Sequence, residues 1–449
     1  RVETNCQNCG FQQVRINGLD GPYTQILIDS RPVFSALSGV YGLEQIPASM
    51  IERVEVMRGG GSALFGSSAI AGTINIITKE PLRNSGQLSH TITSLGGSSS
   101  FDNNTSLNAS LVTDDHRAGL YIFGQNRYRS GYDYDGDGFT ELPKLKNQTV
   151  GFRSYLKTST YSKLTFEYHH MQEFRRGGDM LNRPPHEAHI AEQLQHSIDG
   201  GSLKFDYFSP DEKNRLSVFA SAANTDRDSY YGPGNDPLKA YGKTTDLTAM
   251  GGAQYVHTFD KCFFMPSDLT AGLEYNRDRL KDNMWGYNRH TDQTVNIYSA
   301  FLQNEWKNDR WGILIGGRLD KHNMVDNVIF SPRANLRFNP TQNINLRLSY
   351  SSGFRAPQAF DEDMHIENVG GTVAMIERAK DLKEEKSQSF SVSADMYHRF
   401  GAFQTNLLIE GFYTRLTDVF VLGKPYDRGD GILVKTRSNG PGAKVMGLT

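Results

Sequence analysis

An acidic run is the densest group of metal-ligating side chains in this 449-residue sequence. The run contains Asp133, Asp135, Asp137 and Gly138. These four residues match positions 1, 3, 5 and 6 of a calcium-binding loop. Position 12 of such a loop should be Glu, but Lys144 stands there and no helical pattern flanks the run. Because three carboxylates this close repel one another unless a cation lies between them, a calcium site and a merely solvated acidic loop both stay open.

Cysteine and histidine offer weaker candidates. Cys6 and Cys9 form a C-x-x-C pair, and Cys262 is alone. We expect a local disulfide, because zinc needs a second pair and thioredoxin-like chemistry needs a βαβ context. Five of the twelve histidines fall between residues 169 and 196; we interpret them as polar groups of loops and of the barrel lumen, with a metal site as the alternative.

Catalytic motifs are missing from the sequence. The glycine-rich run at residues 58–66 lacks the Lys-Ser/Thr that completes a phosphate-binding loop, and we interpret it as a tight turn. No G-x-S-x-G or similar nucleophile constellation is present, which argues against a hydrolase. We therefore expect a protein that is not an enzyme and needs no cofactor, calcium apart.

Composition narrows the class of protein. Charges nearly cancel, with 48 Lys+Arg against 50 Asp+Glu, which argues against nucleic acid as a partner. Only 37% of residues are hydrophobic, and no run approaches the ~18 apolar residues of a membrane-spanning helix. Yet aromatic residues reach 11% and glycine contributes 44 residues, which is typical of an all-β protein with many turns. A β-barrel combines these traits, because its strands need only one apolar face.

The strand pattern changes near residue 81. Before it, the short apolar segments Gln25–Asp29, Arg53–Met57 and Thr73–Ile77 alternate with glycine-rich turns, and a helical turn is predicted over Pro47–Glu52. We predict a small mixed α/β domain over residues 1–80. From residue 85 to 449 long segments alternate apolar and polar residues, as in Asn343–Ser352.

Lengths of the connections indicate a membrane barrel. Links near residues 113–117, 159–162, 209–213, 308–310, 339–343 and 399–402 are short, and they alternate with long links near 129–146, 174–197, 226–243, 282–292, 353–384 and 418–430. Short turns on one side and long loops on the other are typical of an outer-membrane barrel. We count 16 or 17 strands, and we read the chain as a fragment of a longer protein.

Four ordered segments of the first domain resemble the plug of TonB-dependent outer-membrane receptors. They are Arg15-Ile-Asn-Gly-Leu19, Ile28-Asp-Ser-Arg-Pro32, Ile51-Glu-Arg-Val-Glu-Val-Met-Arg-Gly59 with Ser62-Ala-Leu-Phe-Gly66, and Ala69-Ile-Ala-Gly-Thr-Ile-Asn-Ile-Ile-Thr78. In the barrel, Phe354-Arg355-Ala356-Pro357 resembles the family's F-R-A-P box. Asp381–Glu385 resembles its N-P-x-L-x-P-E box, with Ala379-Lys380 where Asn-Pro is usual and Glu384 in place of Pro.

The resemblance implies an all-β transmembrane barrel of the 22-stranded type, shortened here, with the plug in its lumen. It also implies import of a scarce metal chelate into bacteria, with TonB and the ExbB/ExbD system supplying energy and a surface lipoprotein as a further partner. The TonB-box segment would lie upstream of this chain. Because a plug in a polar lumen is held by charge-assisted hydrogen bonds, we expect Arg15, Arg53 and Arg58 to face acidic residues of the barrel wall.

The resemblance leaves the ligand open. Haem receptors of the family carry a histidine between the two barrel boxes, where His365 lies, but residues 1–80 contain no histidine for the second haem contact. The receptor that imports vitamin B12 uses loop carboxylates for calcium, which the acidic loop resembles. Candidate aromatic residues for stacking on a flat macrocycle are Tyr132, Tyr230, Tyr231, Trp285 and Tyr287, although membrane-surface belts use the same residue types.

We therefore predict import of an iron complex, haem or ferric siderophore, with a corrinoid as the rival. An outer-membrane enzyme and a soluble β-rich binding protein are remote alternatives. A soluble β-rich binding protein would dissolve without detergent. Full charges on one face of the strands argue against it, because the interior of a soluble sandwich could not take them without pairing.

Overall fold

A computed structural model of the chain describes residues 2–6, 10–31, 47–59, 66, 69–233, 240–369 and 372–449. Strand is the dominant state, as the alternating pattern predicts. No helix in this part of the chain is long and apolar enough to cross a membrane.

The first domain is a small sheet of three strands with a hairpin beside it. The hairpin pairs β1 (Val2–Cys6) with β2 (Phe11–Val14). In the sheet, β5 (Gly72–Thr78) lies between β3 (Thr24–Ile28), which is parallel to it, and β4 (Ile51–Arg58), which is antiparallel. The three predicted strands are thus confirmed, and a 3-10 turn at Ala48–Met50 lies within the predicted helical turn.

Sixteen antiparallel strands form one large sheet around this domain. In chain order they are β6 (Ser85–Ser94), β7 (Phe101–Val112), β8 (Ala118–Arg129), β9 (Lys144–Ser159), β10 (Ser162–Gly178), β11 (Ile190–Phe208), β12 (Asn214–Pro233), β13 (Tyr241–Cys262), β14 (Met265–Met284), β15 (Arg289–Lys307), β16 (Trp311–His322), β17 (Ile329–Thr341), β18 (Ile344–Arg355), β21 (Glu385–Phe400), β22 (Phe403–Thr417) and β26 (Ala443–Leu448). The count agrees with the prediction of 16 or 17.

Five shorter strands lie in the two longest loops. They are β19 (Glu367–Val369), β20 (Thr372–Arg378), β23 (Phe420–Leu422), β24 (Tyr426–Asp427) and β25 (Ile432–Asn439). β20 and β25 pair in parallel, so the loop after β18 is joined to the loop after β22. One helical turn, α1 (Asp361–Met364), precedes β19. The sequence missed this loop sheet, because its strands are short and its pairing is non-local.

Inward and outward faces of the large sheet differ as a membrane barrel requires. On β21, Phe390 and Val392 point outward and are 47% and 57% exposed, whereas Ser387 and Ser389 on the inner face are buried. The six predicted short links are tight turns, and a seventh at residues 263–264 joins β13 to β14. Longer loops leave the opposite end of the barrel, which the alternation identifies as the extracellular end. The long link predicted near residues 282–292 is wrong, because β14 extends to Met284 and β15 begins at Arg289, which leaves only a turn at residues 285–288.

Candidate functional site

Cations of the barrel wall hold the plug sheet. Arg153 on β9 lies 2.5 Å from Asp29 and 3.3 Å from Glu80, both at the ends of plug strands, and 2.6 Å from Glu167 on β10. Lys163 adds a second contact to Glu80 at 3.1 Å. At Asp29 and Glu80 the polarity is therefore the reverse of the predicted one, since the wall supplies the cations and the plug supplies the carboxylates.

Local turn geometry places Asp29 in this contact. Asp29 and Ser30 follow β3 with positive φ angles of 47° and 65°, a conformation in which glycine is favoured and a short polar side chain can bond back to the chain. The Asp29 carboxylate accepts hydrogen bonds from the backbone N–H of Thr78 at 3.0 Å and from its hydroxyl at 2.6 Å. Ser30 N–H donates to the Asn75 side chain at 2.8 Å. The turn thus fixes the carboxylate that Arg153 binds.

The three plug arginines have different partners. Arg58 does approach the barrel, with its Nη1 3.4 Å from Glu410 on β22. Arg15 forms an ion pair at 3.1 Å with Asp20 of the plug itself. Arg53 pairs with Glu55 at 2.8 Å rather than with the wall, because residues two apart on a strand share a face and both side chains here are exposed. For Arg53 the expected wall contact is wrong.

Both barrel boxes meet the plug at one tyrosine. Tyr23 donates a hydrogen bond at 2.8 Å to Glu385, the last residue of the second box. The Arg355 guanidinium of the first box lies 5.7 Å from the Tyr23 ring and 4.0 Å from the Phe360 ring, and it also pairs with Glu362. Burial raises the pKa of Tyr23 well above its usual range, with Glu385 adding to the effect, so the phenol stays a donor.

The other residues of the first box serve packing and loop support. Phe354 and Ala356 are buried beside Val325 and Ile329. The Pro357 carbonyl accepts a hydrogen bond from Arg378 at 3.1 Å. Phe354 and Ala356 thus contribute to the core below the loops, and the Pro357 carbonyl supports β20 through Arg378. Arg355 is the member of the box that reaches the plug, at Tyr23.

Helix α1 is bound by ion pairs from several strands. Asp361 pairs with Arg227 of β12 at 2.6 Å, and both side chains are almost fully buried. Asp363 pairs with Arg437 of β25 at 2.9 Å. Burial alone would raise the pKa of Glu362, but Arg355 and Arg437 lower it below its usual range. The extracellular loop is thereby joined to the wall, and through Arg355 to the plug.

His365 and three of the predicted aromatic residues lie together. Tyr231 meets the His365 ring edge-to-face with centroids 5.3 Å apart, and His365 Nε2 is 3.2 Å from Glu192. Tyr230, Tyr231 and Tyr287 are 1–3% exposed in an apolar cluster, and the Tyr287 hydroxyl donates to the Tyr231 carbonyl at 2.7 Å. Because their rings are covered by neighbouring side chains, these tyrosines pack the loops instead of offering a stacking surface. That part of the prediction is corrected.

Two predicted aromatic residues differ from these. Trp285 is 55% exposed at the turn between β14 and β15. Tyr132 is half-buried, with its ring 6.3 Å from Tyr134 in the acidic loop. A role in ligand binding stays a prediction for both.

The acidic loop brings four carboxylates together. Oxygen atoms of Asp133, Asp135, Asp137 and Glu141 lie within 4.8 Å of one another. Glu141, which the position-12 comparison missed, is the fourth member. Each carboxylate also accepts a backbone N–H, for example Gly136 N–H to Asp133 at 2.7 Å. The loop conformation thus has an explanation without a cation.

One cysteine of the predicted disulfide lies outside the described residues. This residue is Cys9, so the pairing of Cys6 with Cys9 stays a prediction. Cys262 is a free thiol at the end of β13.

A cavity separates the plug from the wall around Arg153. Its volume is about 490 Å³, and Asp29, Glu80, Glu167 and Tyr121 line it together with Arg153. The charged contacts therefore border open space instead of a sealed apolar core. Water can replace such contacts at lower cost than it can replace packed apolar surface.

Family comparisons agree with this architecture. Residues 71–448 match the TonB dependent receptor-like β-barrel family, and residues 1–73 match the TonB-dependent receptor plug domain. The chain belongs to the TonB-dependent receptors, which are β-barrel proteins of the bacterial outer membrane and are not enzymes.

Individual relatives are distant. A vitamin B12 transporter of Vibrio vulnificus is 23% identical over 78% of this chain and 54% of its own length. An iron-regulated outer membrane virulence protein of Vibrio cholerae is 27% identical over 77% of this chain and 51% of its own. The chain thus spans about half the length of these curated relatives. The siderophore receptor PirA of Acinetobacter baumannii superimposes with a TM-score of 0.79 at 18% identity, covering 97% of this chain and 71% of PirA, which establishes the fold alone.

Proposed function

We propose that this receptor imports an iron chelate across the outer membrane by TonB-dependent movement of its plug. The observation that carries the proposal is the plug–wall interface around Arg153, where charge-assisted pairs border a cavity of about 490 Å³. Such contacts hold the plug at rest and can be exchanged for water when force is applied. The energy comes from TonB and ExbB/ExbD, as membership of the TonB-dependent receptors implies.

An iron complex is the ligand class we favour. The relative named as an iron-regulated outer membrane protein and the fold of a siderophore receptor support it. A ferric siderophore fits better than haem, because residues 1–80 hold no histidine and His365 is engaged by Glu192. A corrinoid is the second candidate, supported by the vitamin B12 transporter among the relatives and by the four carboxylates of the acidic loop.

Uptake by cells that lack their own receptors separates the candidates. Radiolabelled ferric tricatecholate, haem and cobalamin are offered in turn, with and without a protonophore. We expect accumulation of the ferric chelate that the protonophore abolishes, while binding at the cell surface persists. Accumulation of cobalamin alone would establish the second candidate, and uptake that is indifferent to the protonophore would refute TonB-dependent transport.

We also propose calcium as a ligand of Asp133, Asp135, Asp137 and Glu141. Convergence of four carboxylates supports the idea, because a divalent cation offsets their mutual repulsion. Calcium is then expected to raise the thermal unfolding temperature of the parent receptor but not of the Asp135→Ala, Asp137→Ala variant. The Glu212→Ala variant, which removes a carboxylate from the turn between β11 and β12, is the control. Absence of a calcium-dependent shift in the parent would end the proposal.

A surface lipoprotein that covers the extracellular loops remains a proposed partner. The loop sheet of β19, β20 and β25 offers it an ordered surface. Co-purification of a lipoprotein with the receptor from outer membranes, and its loss when residues 424–430 are replaced by a Gly-Ser linker, would test this pairing.

A further inference from the structure

Strand β14 changes character abruptly on its outer face. Leu269, Ala271, Leu273 and Tyr275 follow one another at alternate positions and face the lipid, and the next three outward residues are cations. These are Arg277, Arg279 and Lys281, all exposed, while Asp278, Leu280 and Asp282 between them are buried on the inner face. No other described strand carries three cations at alternate positions on its outer face. We call these three residues the β14 stripe.

Aromatic pairs fix the height of the stripe relative to the membrane. At the short-turn end, Phe264 stacks on Trp306 with ring centroids 5.6 Å apart. Tyr275 meets Tyr298 at 4.8 Å, eleven residues farther along β14 than Phe264. At about 3.3 Å per residue and a tilt of about 40°, this interval spans roughly 28 Å, close to the ~25 Å apolar band between aromatic girdles. The tyrosine pair therefore marks the outer interface.

The stripe thus lies in the headgroup layer of the outer leaflet. Arg277, Arg279 and Lys281 come two, four and six residues after Tyr275, or about 5, 10 and 15 Å above the interface. Long cationic side chains at this level reach anionic headgroups while their stems cover apolar surface. A strand face that only contacts water would not require three positive charges directly above the lipid.

Neighbouring strands leave the two arginines without a charged partner. Arg277 lies opposite Ala249 and Asn296, and Arg279 lies opposite Leu247 and Thr294. Within the described residues neither guanidinium forms an ion pair or a side-chain hydrogen bond.

Acidic groups on this outer surface lie at the upper end or farther away. Asp292 is 3.8 Å from Lys281. Asp226 and Asp228 belong to β12, two strands from β14. The guanidinium groups of the stripe therefore remain available to an external anion.

We propose that the β14 stripe binds the phosphate groups of a phosphorylated glycolipid in the outer leaflet. Guanidinium groups bind phosphate in a planar, bidentate manner, and the stripe offers two of them on one strand face to a headgroup that carries two phosphates. The acyl chains then lie against Leu273 and Leu302, which are 65% and 56% exposed. This site is on the outside of the barrel and does not depend on which ligand the lumen transports.

Native mass spectrometry of the receptor purified from outer membranes tests the site. The probe is a bisphosphorylated disaccharide glycolipid in detergent micelles, compared with the same lipid after enzymatic dephosphorylation. We expect the Arg277→Gln, Arg279→Gln, Lys281→Gln variant to bind the phosphorylated probe at least tenfold more weakly. Lysine in place of both arginines should retain only part of the binding, because the charge remains but the bidentate contact is lost. Lys146→Gln, which removes an exposed cation on the outer face of β9, should leave binding unchanged.

Several results would overturn the proposal. Equal binding of the dephosphorylated probe would mean that phosphate is not recognised, and unchanged binding by the triple variant would place the lipid elsewhere. Loss of a co-purifying protein from the triple variant, with glycolipid binding intact, would make the stripe a protein contact. Heat-modifiable gel mobility checks that each variant is folded. If the triple variant does not fold, the single Arg279→Gln variant replaces it, with about threefold weaker binding expected and unchanged binding counting against the site.

Discussion

At the scale of single residues, the contacts between plug and wall depend on which partner carries which charge. Arg153 gathers Asp29, Glu80 and Glu167, two of them from the plug. A half-buried cation with several acidic partners is costly to remove, because each carboxylate is left without its counter-charge. The resting position of the plug therefore depends strongly on one wall arginine.

Replacing Arg153 by Gln should loosen the plug without unfolding the barrel. We expect about 1–3 kcal/mol of lost plug stability, because the half-buried carboxylates of Asp29 and Glu167 lose a charged hydrogen-bond donor. Hydrogen exchange of amides in β3 and β5, measured by mass spectrometry, should accelerate accordingly. Lys163→Gln is the matched control, since its more exposed pair with Glu80 is worth at most about 1 kcal/mol. Equal exchange in the two variants would contradict the assignment.

Tyr23 provides a second residue-level test. In Tyr23→Phe, the buried carboxylate of Glu385 loses one hydrogen-bond donor, which should cost about 1–3 kcal/mol. The control is Tyr121→Phe, whose hydroxyl donates to the neutral carbonyl of Ser49 at 2.5 Å and should cost less. Thermal unfolding of the plug, followed by exchange of residues 21–28, distinguishes them. A larger effect at Tyr121 would show that charge at Glu385 is unimportant.

At the scale of elements, helix α1 is the piece that joins the extracellular loops to the plug. Burial raises the pKa of Asp361 to about 6, against the opposing influence of Arg227. Burial alone would lower the pKa of His365, but Glu192 and Asp361 raise it above its usual 6.5. Both groups bind a proton more tightly when α1 is docked, so docking is favoured as pH falls.

Docking of α1 should therefore weaken between pH 4 and pH 8. The contribution of Asp361 is complete below its ordinary value of 3.8 and is lost as pH rises through about 6, about 3 kcal/mol at most. The contribution of His365 is lost above pH 6.5. Glu362, whose pKa is lowered, acts in the opposite direction only below about pH 4.5. Amide exchange of residues 361–366, corrected for its intrinsic pH dependence, is the measurement.

A double variant provides the control for this pH effect. Asp361→Asn with His365→Asn removes two of the titrating groups and should make the dependence of protection on pH clearly shallower from pH 5 to pH 8. Asp363, whose pKa burial also raises, accounts for the remaining slope. Protection in the parent that rises with pH would contradict the assignment. The same change in parent and variant would place the titrating group elsewhere.

At the scale of the whole molecule, the outer surface is an apolar band between two aromatic girdles. On β15, Tyr298 lies at the outer girdle, Trp306 at the inner one, and Leu302 midway between them with 56% of its surface exposed. The hydrophobic residues, which are a small fraction of the chain, are thereby concentrated on the surface that faces lipid.

Leu302→Arg tests the position of the band. A charge at the bilayer midplane should destabilise the folded receptor by about 2–4 kcal/mol, measured as the free energy of unfolding from lipid vesicles in guanidinium. Gln195→Arg is the matched control, because Gln195 is exposed on the outer face of β11 and lies opposite Asp228. Its effect should be near zero, and a similar loss in both variants would refute the placement.

Sequence alone determined the class of fold, because a period of two with one polar face is a local property of each strand. It also located six of the seven tight turns and the three plug strands. The tertiary structure decided which side chains meet. Arg53 and Arg153 have the same chemistry, yet only Arg153 reaches across the plug–wall boundary, since register and strand order set that distance. Tyr230 and Trp285 likewise looked equivalent, and only the non-local loop sheet buries the first and leaves the second exposed.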